Sequence, residues 1–189
     1  MPATALDPRT ALVVIDLQKG ISGYPTVHPF PAVAGQAGRL AAAFRQAGLP
    51  VVLVTVSFSA DGGEMLRPRA EVRRQLAPTP DFAELVPALG HAPGDLLITK
   101  RQQNAFYGTE LDLQLRRRQV TGIVLTGVAT GSGVDATARA AHERGYNITF
   151  ASDAITDTDP AIHELEMTKL FPRLGEVDTT DNILALLRR

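Results

Sequence analysis

The 189-residue sequence contains no cysteine. The chain therefore forms neither a disulfide nor a thiolate metal site, and any chemistry it performs proceeds without a cysteine thiolate. It also lacks an excess of charge of one sign, since its formal net charge is −1 and its pI is about 6.4. An electrostatic footprint for nucleic acid or for a membrane surface is missing, so we expect neither as a partner.

Several motifs and segments are also missing. The longest apolar runs are too short to cross a bilayer, and the first residues, MPATALDPRT, have neither the charged start nor the apolar core of a signal peptide. The four histidines form no i, i+4 pair and no H-E-x-x-H motif, and no phosphate-binding P-loop motif occurs. We therefore predict no metal and no cofactor.

What the sequence does contain is enough apolar material for a core. Hydrophobic residues make up 44% of the chain, and its length fits one domain. We expect a single cytoplasmic domain over 1–189.

Short apolar runs alternate with amphipathic segments along the chain. The runs are rich in Val, Ile and Leu without polar alternation, which is typical of strands covered on both faces. The predicted strands are 11–15, 51–56, 96–99, 122–126 and 148–151, with a further short one at 175–178. The predicted helices are 32–47, 109–118, 134–144, 160–171 and 180–187. This alternation predicts an α/β fold with a parallel sheet and helices on both sides.

Two long irregular segments interrupt the pattern, 20–31 and 57–80. Loops of this length inside a compact domain are often lids or binding loops. The second segment carries a basic cluster, which is either a solvated face or a means of attracting an anionic substrate. Its members are Arg67, Arg69, Arg73 and Arg74.

Two charged residues stand at the ends of predicted strands, Asp16 in ALVVIDLQKG and Lys100 in DLLITKRQQNAFYGT. Taken alone, each is explained as an ordinary strand-end residue. Because the carboxyl ends of parallel strands meet at one edge of the sheet, we expect the two to converge as a coupled acid–base pair. The ammonium group lowers the pKa of Asp16 and burial raises it, and the sequence leaves open which effect prevails.

The most informative segment is LTGVATGSGVDATARAAHERGY, which runs from a strand through a glycine-rich turn into a helix. Thr130 and Ser132 are the hydroxyls of this turn. The order of residues differs from the G-x-S-x-G nucleophile elbow, and no histidine stands nearby in the sequence to act as base. Ser132 is more simply explained as the N-cap or first turn of the following helix.

The same turn also matches a dinucleotide-binding fingerprint. Gly131 to Ala136 read G-x-G-x-x-A, and Asp153 ends the next predicted strand. Two observations count against this reading. Several residues separate the strand from the first glycine of the match, and the fingerprint leaves Asp16 and Lys100 unexplained.

Together these segments resemble the isochorismatase-like hydrolases, also called cysteine hydrolases. The resemblance rests on ALVVIDLQKG, on LITKRQQNAFYGTELDLQL and on LTGVATGSGVDATARAAHERGYNITFASDA, in this order. It implies a three-layer α/β/α sandwich around a six-stranded parallel sheet, a small-molecule substrate, and a homo-oligomer, either a dimer or larger. The family site is an Asp–Lys–Cys triad, whose members fall on Asp16, Lys100 and Gly133.

Glycine at the cysteine position changes the chemistry that the resemblance implies. Members with cysteine hydrolyse amides through a thioester, whereas members with glycine resemble true isochorismatases, which hydrolyse an enol ether. In that reaction Asp16 would protonate the vinyl carbon, water would add to the oxocarbenium ion, and Lys100 would orient the acid. Asp16 must then be protonated at working pH, so burial has to outweigh Lys100.

The resemblance implies further site features. It places a non-prolyl cis peptide between Val128 and Ala129, and backbone N–H groups from Gly133 onward that would bind an oxyanion or carboxylate. The metal-binding Asp-x-His of nicotinamidases has no counterpart. The residues assigned to substrate binding are Gln18, Phe106, Val128, Ala129 and Thr130, and further pocket candidates are Arg101, Gln102, Asn104 and Tyr107.

Two alternatives to a hydrolase stay open at this point. One is a family member that has lost catalysis and serves as a binding or assembly module. The other, which the sequence favours less, is a dinucleotide-binding protein.

Overall fold

A computed structural model describes residues 2–71 and 79–188. Its centre is a six-stranded sheet with the order β3-β2-β1-β4-β5-β6, in which every pairing is parallel. The strands are β1 (Thr10–Ile15), β2 (Val51–Val56), β3 (Leu96–Lys100), β4 (Gly122–Val128), β5 (Asn147–Thr156) and β6 (Glu176–Asp178). The predicted α/β fold with a six-stranded parallel sheet is therefore confirmed.

Helices cover both faces of the sheet. They are α1 (Lys19–Ser22), α2 (Phe30–Gln46), α3 (Leu111–Arg117), α4 (Asp135–Glu143), α5 (Pro160–Leu165) and α6 (Thr180–Leu187). Shorter helical turns lie at Pro87–Leu89, Thr130–Val134, Glu166–Leu170 and Phe171–Arg173. Within the described ranges, no helix combines the length and the apolar character needed to cross a membrane.

The core is divided into two layers by the sheet. Alternate residues of β1 point to opposite faces, so that Val13 packs in one hydrophobic cluster and Leu12 in the other. The first cluster includes side chains of α3 and α4, and the second includes those of α2 and α6. All residues of β1 are buried because the strand is central and covered on both faces.

Strand β5 is longer than the sequence predicts and carries an irregularity. Leu125 pairs with Phe150, but two residues later Gly127 pairs with Ile155, so that residues 151–154 bulge out of register. Gly127 has φ 120°, and a Cβ there would lie 2.0 Å from the carbonyl oxygen of Ile15. Only glycine allows this close approach of β4 to β1, just before the chain leaves the sheet.

The predicted helix 160–171 divides into α5 and two shorter turns. The Thr168 hydroxyl donates to the carbonyl oxygen of Glu164, a back-bond that bends helices, and Pro172 supplies no N–H to continue the ladder. As a result, α5 is a short separate helix, and it faces the glycine-rich turn.

The two irregular segments, 20–31 and 57–80, differ in how far the structure describes them. The first docks on the end of β5, where the N–H of Val27 donates to the carbonyl oxygen of Asp157. In the second, Arg67 and Arg69 are exposed, while Arg73 and Arg74 lie outside the described residues.

Candidate active site

Asp16 and Lys100 meet at the carboxyl edge of the sheet. Asp16 follows β1 directly with φ 53°, a left-handed conformation that aspartate adopts more readily than most residues. Lys100 ends β3, two strands away in the sheet order. Its Nζ lies 2.8 Å from Asp16 Oδ2 and donates a second hydrogen bond, of 2.7 Å, to the carbonyl oxygen of Gln103.

Both members of this pair are buried. Lys100 is 2% exposed and Asp16 7% exposed. Burial raises the pKa of Asp16 above its ordinary value, and this effect outweighs the lowering by the Lys100 charge and its hydrogen bond. Among the described residues, Asp16 Oδ1 is a buried oxygen that no hydrogen-bond partner reaches. One carboxyl oxygen is thus held by the lysine and the other is left for a further contact.

The glycine-rich turn places Gly133 against this pair. Strand β4 ends at Val128, and the peptide between Val128 and Ala129 is cis, as the resemblance implies. The chain then forms the helical turn Thr130–Val134 and enters α4. We call residues 129–134 the elbow.

A side chain at Gly133 would point directly at the charged pair. A Cβ built there would lie 2.9 Å from Lys100 Nζ, 3.2 Å from Asp16 Oδ2 and 3.0 Å from Ile15 Cγ2. The structure therefore brings together Asp16, Lys100 and Gly133, the three positions singled out from the sequence.

The elbow also makes a contact that the sequence does not reveal. Thr130 Oγ1 lies 2.8 Å from Nδ1 of His163, in a buried position. His163 comes from α5 and is distant in sequence, so no local motif predicts the pairing. Ser132 is partly exposed inside the helical turn, and its N–H donates to the carbonyl oxygen of Ala129.

Two of the predicted substrate-binding residues have side chains that make contacts within the fold. The side-chain amide of Gln18 donates to the carbonyl oxygens of Val56 and Phe82, so both of its N–H donors are used within the fold. Phe106 is stacked on Tyr146 at 5.9 Å and belongs to the hydrophobic core. The assignment of Gln18 and Phe106 to substrate binding stays a prediction, since these contacts are made within the fold.

The remaining candidates lie around the elbow or on the neighbouring loop. Val128 and Ala129 are buried against the α2 side of the sheet, and Thr130 is fully buried. The Arg101 guanidinium donates to the carbonyl oxygen of Ser57. Tyr107 is largely exposed.

The dinucleotide fingerprint is not supported by the local geometry. Asp153 lies in the irregular part of β5 rather than at its end, and its Oδ1 accepts the N–H and the hydroxyl of Thr180, each at 2.8 Å. A Cβ at Gly131 would lie 2.2 Å from Ile162 Cγ2 of α5.

The opposite edge of the sheet carries an open cavity of about 510 Å³. Its lining includes the first residues of β1, β4 and β5, namely Thr10, Gly122 and Asn147. It is therefore separated from Asp16 and Lys100 by the length of the strands. Across the described part of the chain, no group of three or more His, Asp or Glu side chains is arranged to hold a metal ion.

Comparison with solved structures gives the fold class. An isochorismatase family protein of Burkholderia thailandensis superposes with a TM-score of 0.95 and 42% identity, covering 98% of each chain. The fold is thus that of the isochorismatase-like α/β proteins. Residues 10–182 match the isochorismatase domain, a span that holds Asp16, Lys100 and Gly133. The chain belongs to the isochorismatase family and is a hydrolase of that family.

Curated relatives agree with this placement. The uncharacterized isochorismatase family protein YecD of Escherichia coli O157:H7 is 43% identical over 94% of this chain and 96% of its own length. The ureidoacrylate amidohydrolase RutB of Methylobacterium radiotolerans is 31% identical over 92% of this chain and 78% of its own length.

Proposed function

We propose that this protein hydrolyses a small molecule without a covalent enzyme intermediate, with Asp16 as the acid/base and water as the nucleophile. The observation that carries the proposal is the state of Asp16. It is buried beside Lys100, its pKa is raised, and its Oδ1 has no hydrogen-bond partner among the described residues. A raised pKa favours the protonated form of Asp16, and a protonated carboxyl group with one unpartnered oxygen is suited to donate a proton to a substrate.

An isochorismatase-type enol ether is the substrate class that best fits this site. Asp16 transfers its proton to the vinyl carbon, and the ether oxygen shares the positive charge of the oxocarbenium ion that results. Water adds to the charged carbon and returns a proton to the Asp16 carboxylate, and the hemiketal then separates into a ketone and an alcohol. Lys100 stabilises the carboxylate during the interval in which Asp16 is ionised.

The proposed role of Gly133 is to let the elbow lie close against Asp16 and Lys100. We place the family's cysteine at this position, where this chain has no side chain and no thiol. The α-carbon of Gly133 faces both Lys100 Nζ and Asp16 Oδ2. Glycine therefore allows the elbow to lie against the pair at a distance that leaves no room for a side chain. The N–H groups of Val134 and Asp135 donate to carbonyl oxygens within the turn, so the N–H of Gly133 is the proposed donor to an oxyanion or carboxylate.

The alternatives are weaker on the same geometry. If the protein were a binding module that has lost catalysis, Asp16 and Lys100 would be expected to lie apart. Instead, Lys100 Nζ lies 2.8 Å from Asp16 Oδ2. An amide is the second candidate substrate class, since the relative RutB is named a ureidoacrylate amidohydrolase. An amide would require Asp16 to act as base toward water instead of as acid.

A substrate screen with enol ethers and amides side by side tests the proposal. Asp16→Asn is expected to lower turnover of any true substrate by about 10²–10⁴-fold, the usual contribution of a general acid. Asp181→Asn, a substitution of an exposed aspartate on α6, is the matched control and is expected to retain activity. An Asp16→Asn variant with unchanged activity, or an acyl group found on Ser132 by mass spectrometry, would contradict the mechanism.

A further inference from the structure

The elbow is held by the segment that connects β5 to α5 and by α5 itself. The N–H of Gly131 donates to Asp157 Oδ2 at 2.8 Å, and Thr130 Oγ1 lies 2.8 Å from His163 Nδ1. These two elbow residues shortly precede Gly133 in the chain. The position of Gly133 relative to the charged pair is therefore set, in part, by contacts from outside the elbow.

This connecting segment is fixed by hydrogen bonds of its own. The second carboxylate oxygen of Asp157 accepts the N–H groups of Thr158 and Asp159, at 2.7 and 3.2 Å. Asp159 caps α5 by accepting the N–H groups of Ala161 and Ile162, and Pro160 occupies the first helical position. Helix α5 thus presents His163 to the elbow in one orientation.

His163 is buried beside a second histidine. Its ring meets that of His28 edge to face, with centroids 4.9 Å apart, and His28 is anchored to the end of β5. The titratable groups that face His163 are His28, Asp157 and Glu164. Burial lowers the pKa of His163 and the charge of His28 adds to this effect, while Asp157 and Glu164 oppose it.

We propose that His163 is a positioning residue for the reaction of Asp16, an inference that rests on the proposed function. In its neutral form, with the proton on Nε2, the ring accepts the Thr130 hydroxyl at Nδ1. This hydrogen bond keeps the elbow in the position that sets Gly133 against Asp16 and Lys100. His163 touches neither of these two groups and acts on them through Thr130.

Protonation of His163 reverses the direction of this bond. Nδ1 then carries a hydrogen directed at Thr130 Oγ1, and the hydroxyl hydrogen must find another acceptor. Thr130 is fully buried, so water does not supply one. We therefore expect the elbow to shift as the pH falls through the pKa of His163, which adds an acid limb to the pH profile of kcat.

Kinetics of four variants test the role of the hydrogen bond. His163→Leu and Thr130→Val are each expected to lower kcat about tenfold, the effect of one lost buried hydrogen bond, with little change in KM. The double variant is expected to be no slower than either single one, because both remove the same bond. His163→Asn, whose side-chain oxygen can accept from Thr130, is expected to retain neutral-pH activity and to lose the acid limb.

Two further histidines serve as controls for the pH profile. His28→Asn removes a neighbour that lowers the pKa of His163, so the acid limb is expected to move to higher pH. His142→Asn replaces an exposed histidine on α4 and is expected to leave the profile unchanged. A purely structural role for His163 would change stability without moving the limb.

Nuclear magnetic resonance separates this inference from the proposed function. In the Asp16→Asn background, where Asp16 no longer titrates, the amide signal of Gly133 is expected to shift with the same midpoint as the His163 ring signals. Adding His163→Asn is expected to abolish that shift. If Asp16→Asn retains full activity, the proposed function fails and this titration still decides the role of His163. A Gly133 amide that ignores the titration, or an acid limb that persists in His163→Asn, would overturn the inference.

Discussion

At the residue scale, one carboxyl group is subject to two opposing influences. Burial favours the protonated form of Asp16 and Lys100 favours the ionised form, and burial prevails. Because the proposed reaction requires the protonated acid, activity is expected to fall as pH rises through the pKa of Asp16. Lys100 sets the pH at which this fall in activity begins.

Lys100→Met tests that relation. Removing the cation takes away the main influences that oppose burial, so the pKa of Asp16 rises further and the alkaline limb of kcat/KM moves to higher pH. At the same time the ionised intermediate loses its partner, and kcat is expected to decrease. A pH profile of both enzymes checks this, and a limb that stays in place or moves to lower pH would contradict the assignment of Asp16 as the acid.

Gly133→Ala tests the close contact between the elbow and the Asp16–Lys100 pair. The new methyl group would meet Lys100 Nζ at 2.9 Å and Ile15 Cγ2 at 3.0 Å, so the lysine must move away from Asp16. Activity is expected to fall at least about tenfold, the effect of losing one charge-assisted contact, while the fold is retained.

A second glycine offers a matched control for this substitution. Gly35 lies inside α2 with open space around its α-carbon. Gly35→Ala is therefore expected to raise the free energy of unfolding by about 0.5–1 kcal/mol with no loss of activity. Urea unfolding and turnover, measured on both variants, distinguish a local clash from a general effect of alanine. Equal activity of the two variants would contradict the proposed role of Gly133.

At the scale of elements, Gln18 joins the chain after β1 to its neighbours. Its amide exchanges hydrogen bonds with both backbone groups of Val56 and donates to the carbonyl oxygen of Phe82. Gln18→Leu would leave these buried groups unpaired, and we expect the free energy of unfolding to fall by about 2–3 kcal/mol. Gln46→Leu, at an exposed position of α2, is expected to change it by less than about 0.5 kcal/mol. Urea unfolding of both variants measures the difference.

The strands and the Asp16–Lys100 pair were predictable because each depends on a short-range signal. Continuous Val, Ile and Leu runs indicate buried parallel strands, and parallel strands bring their carboxyl ends to one edge. The extension of β5 was not predictable, because residues 152 and 153 are polar and the strand resumes only after its bulge. The contact between Thr130 and His163 depends on the path from β5 into α5, which no local pattern encodes.

At the scale of the whole molecule, large apolar side chains are exposed on the edge strand β3 and on the chain that follows it through α3. Leu97 on the edge strand β3 is 53% exposed, Tyr107 70% and Leu113 on α3 47%. We expect a homo-oligomer, in keeping with the family resemblance. Light scattering after size exclusion is expected to give a multiple of the 20.2 kDa chain mass, and a monomer at micromolar concentration would contradict this prediction.

The bare α-carbon at position 133 also has an evolutionary consequence. Some glycine codons differ from a cysteine codon by a single base, so a thiol at this point of the elbow is genetically close. It is sterically less close, because the first carbon of that side chain would already crowd Lys100 Nζ and the methyl group of Ile15. A thiol at this position could be accommodated only after the side chain of Lys100 or Ile15 has shifted, so Gly133→Cys is expected to disturb the Asp16–Lys100 ion pair before any thiol-dependent hydrolysis is gained.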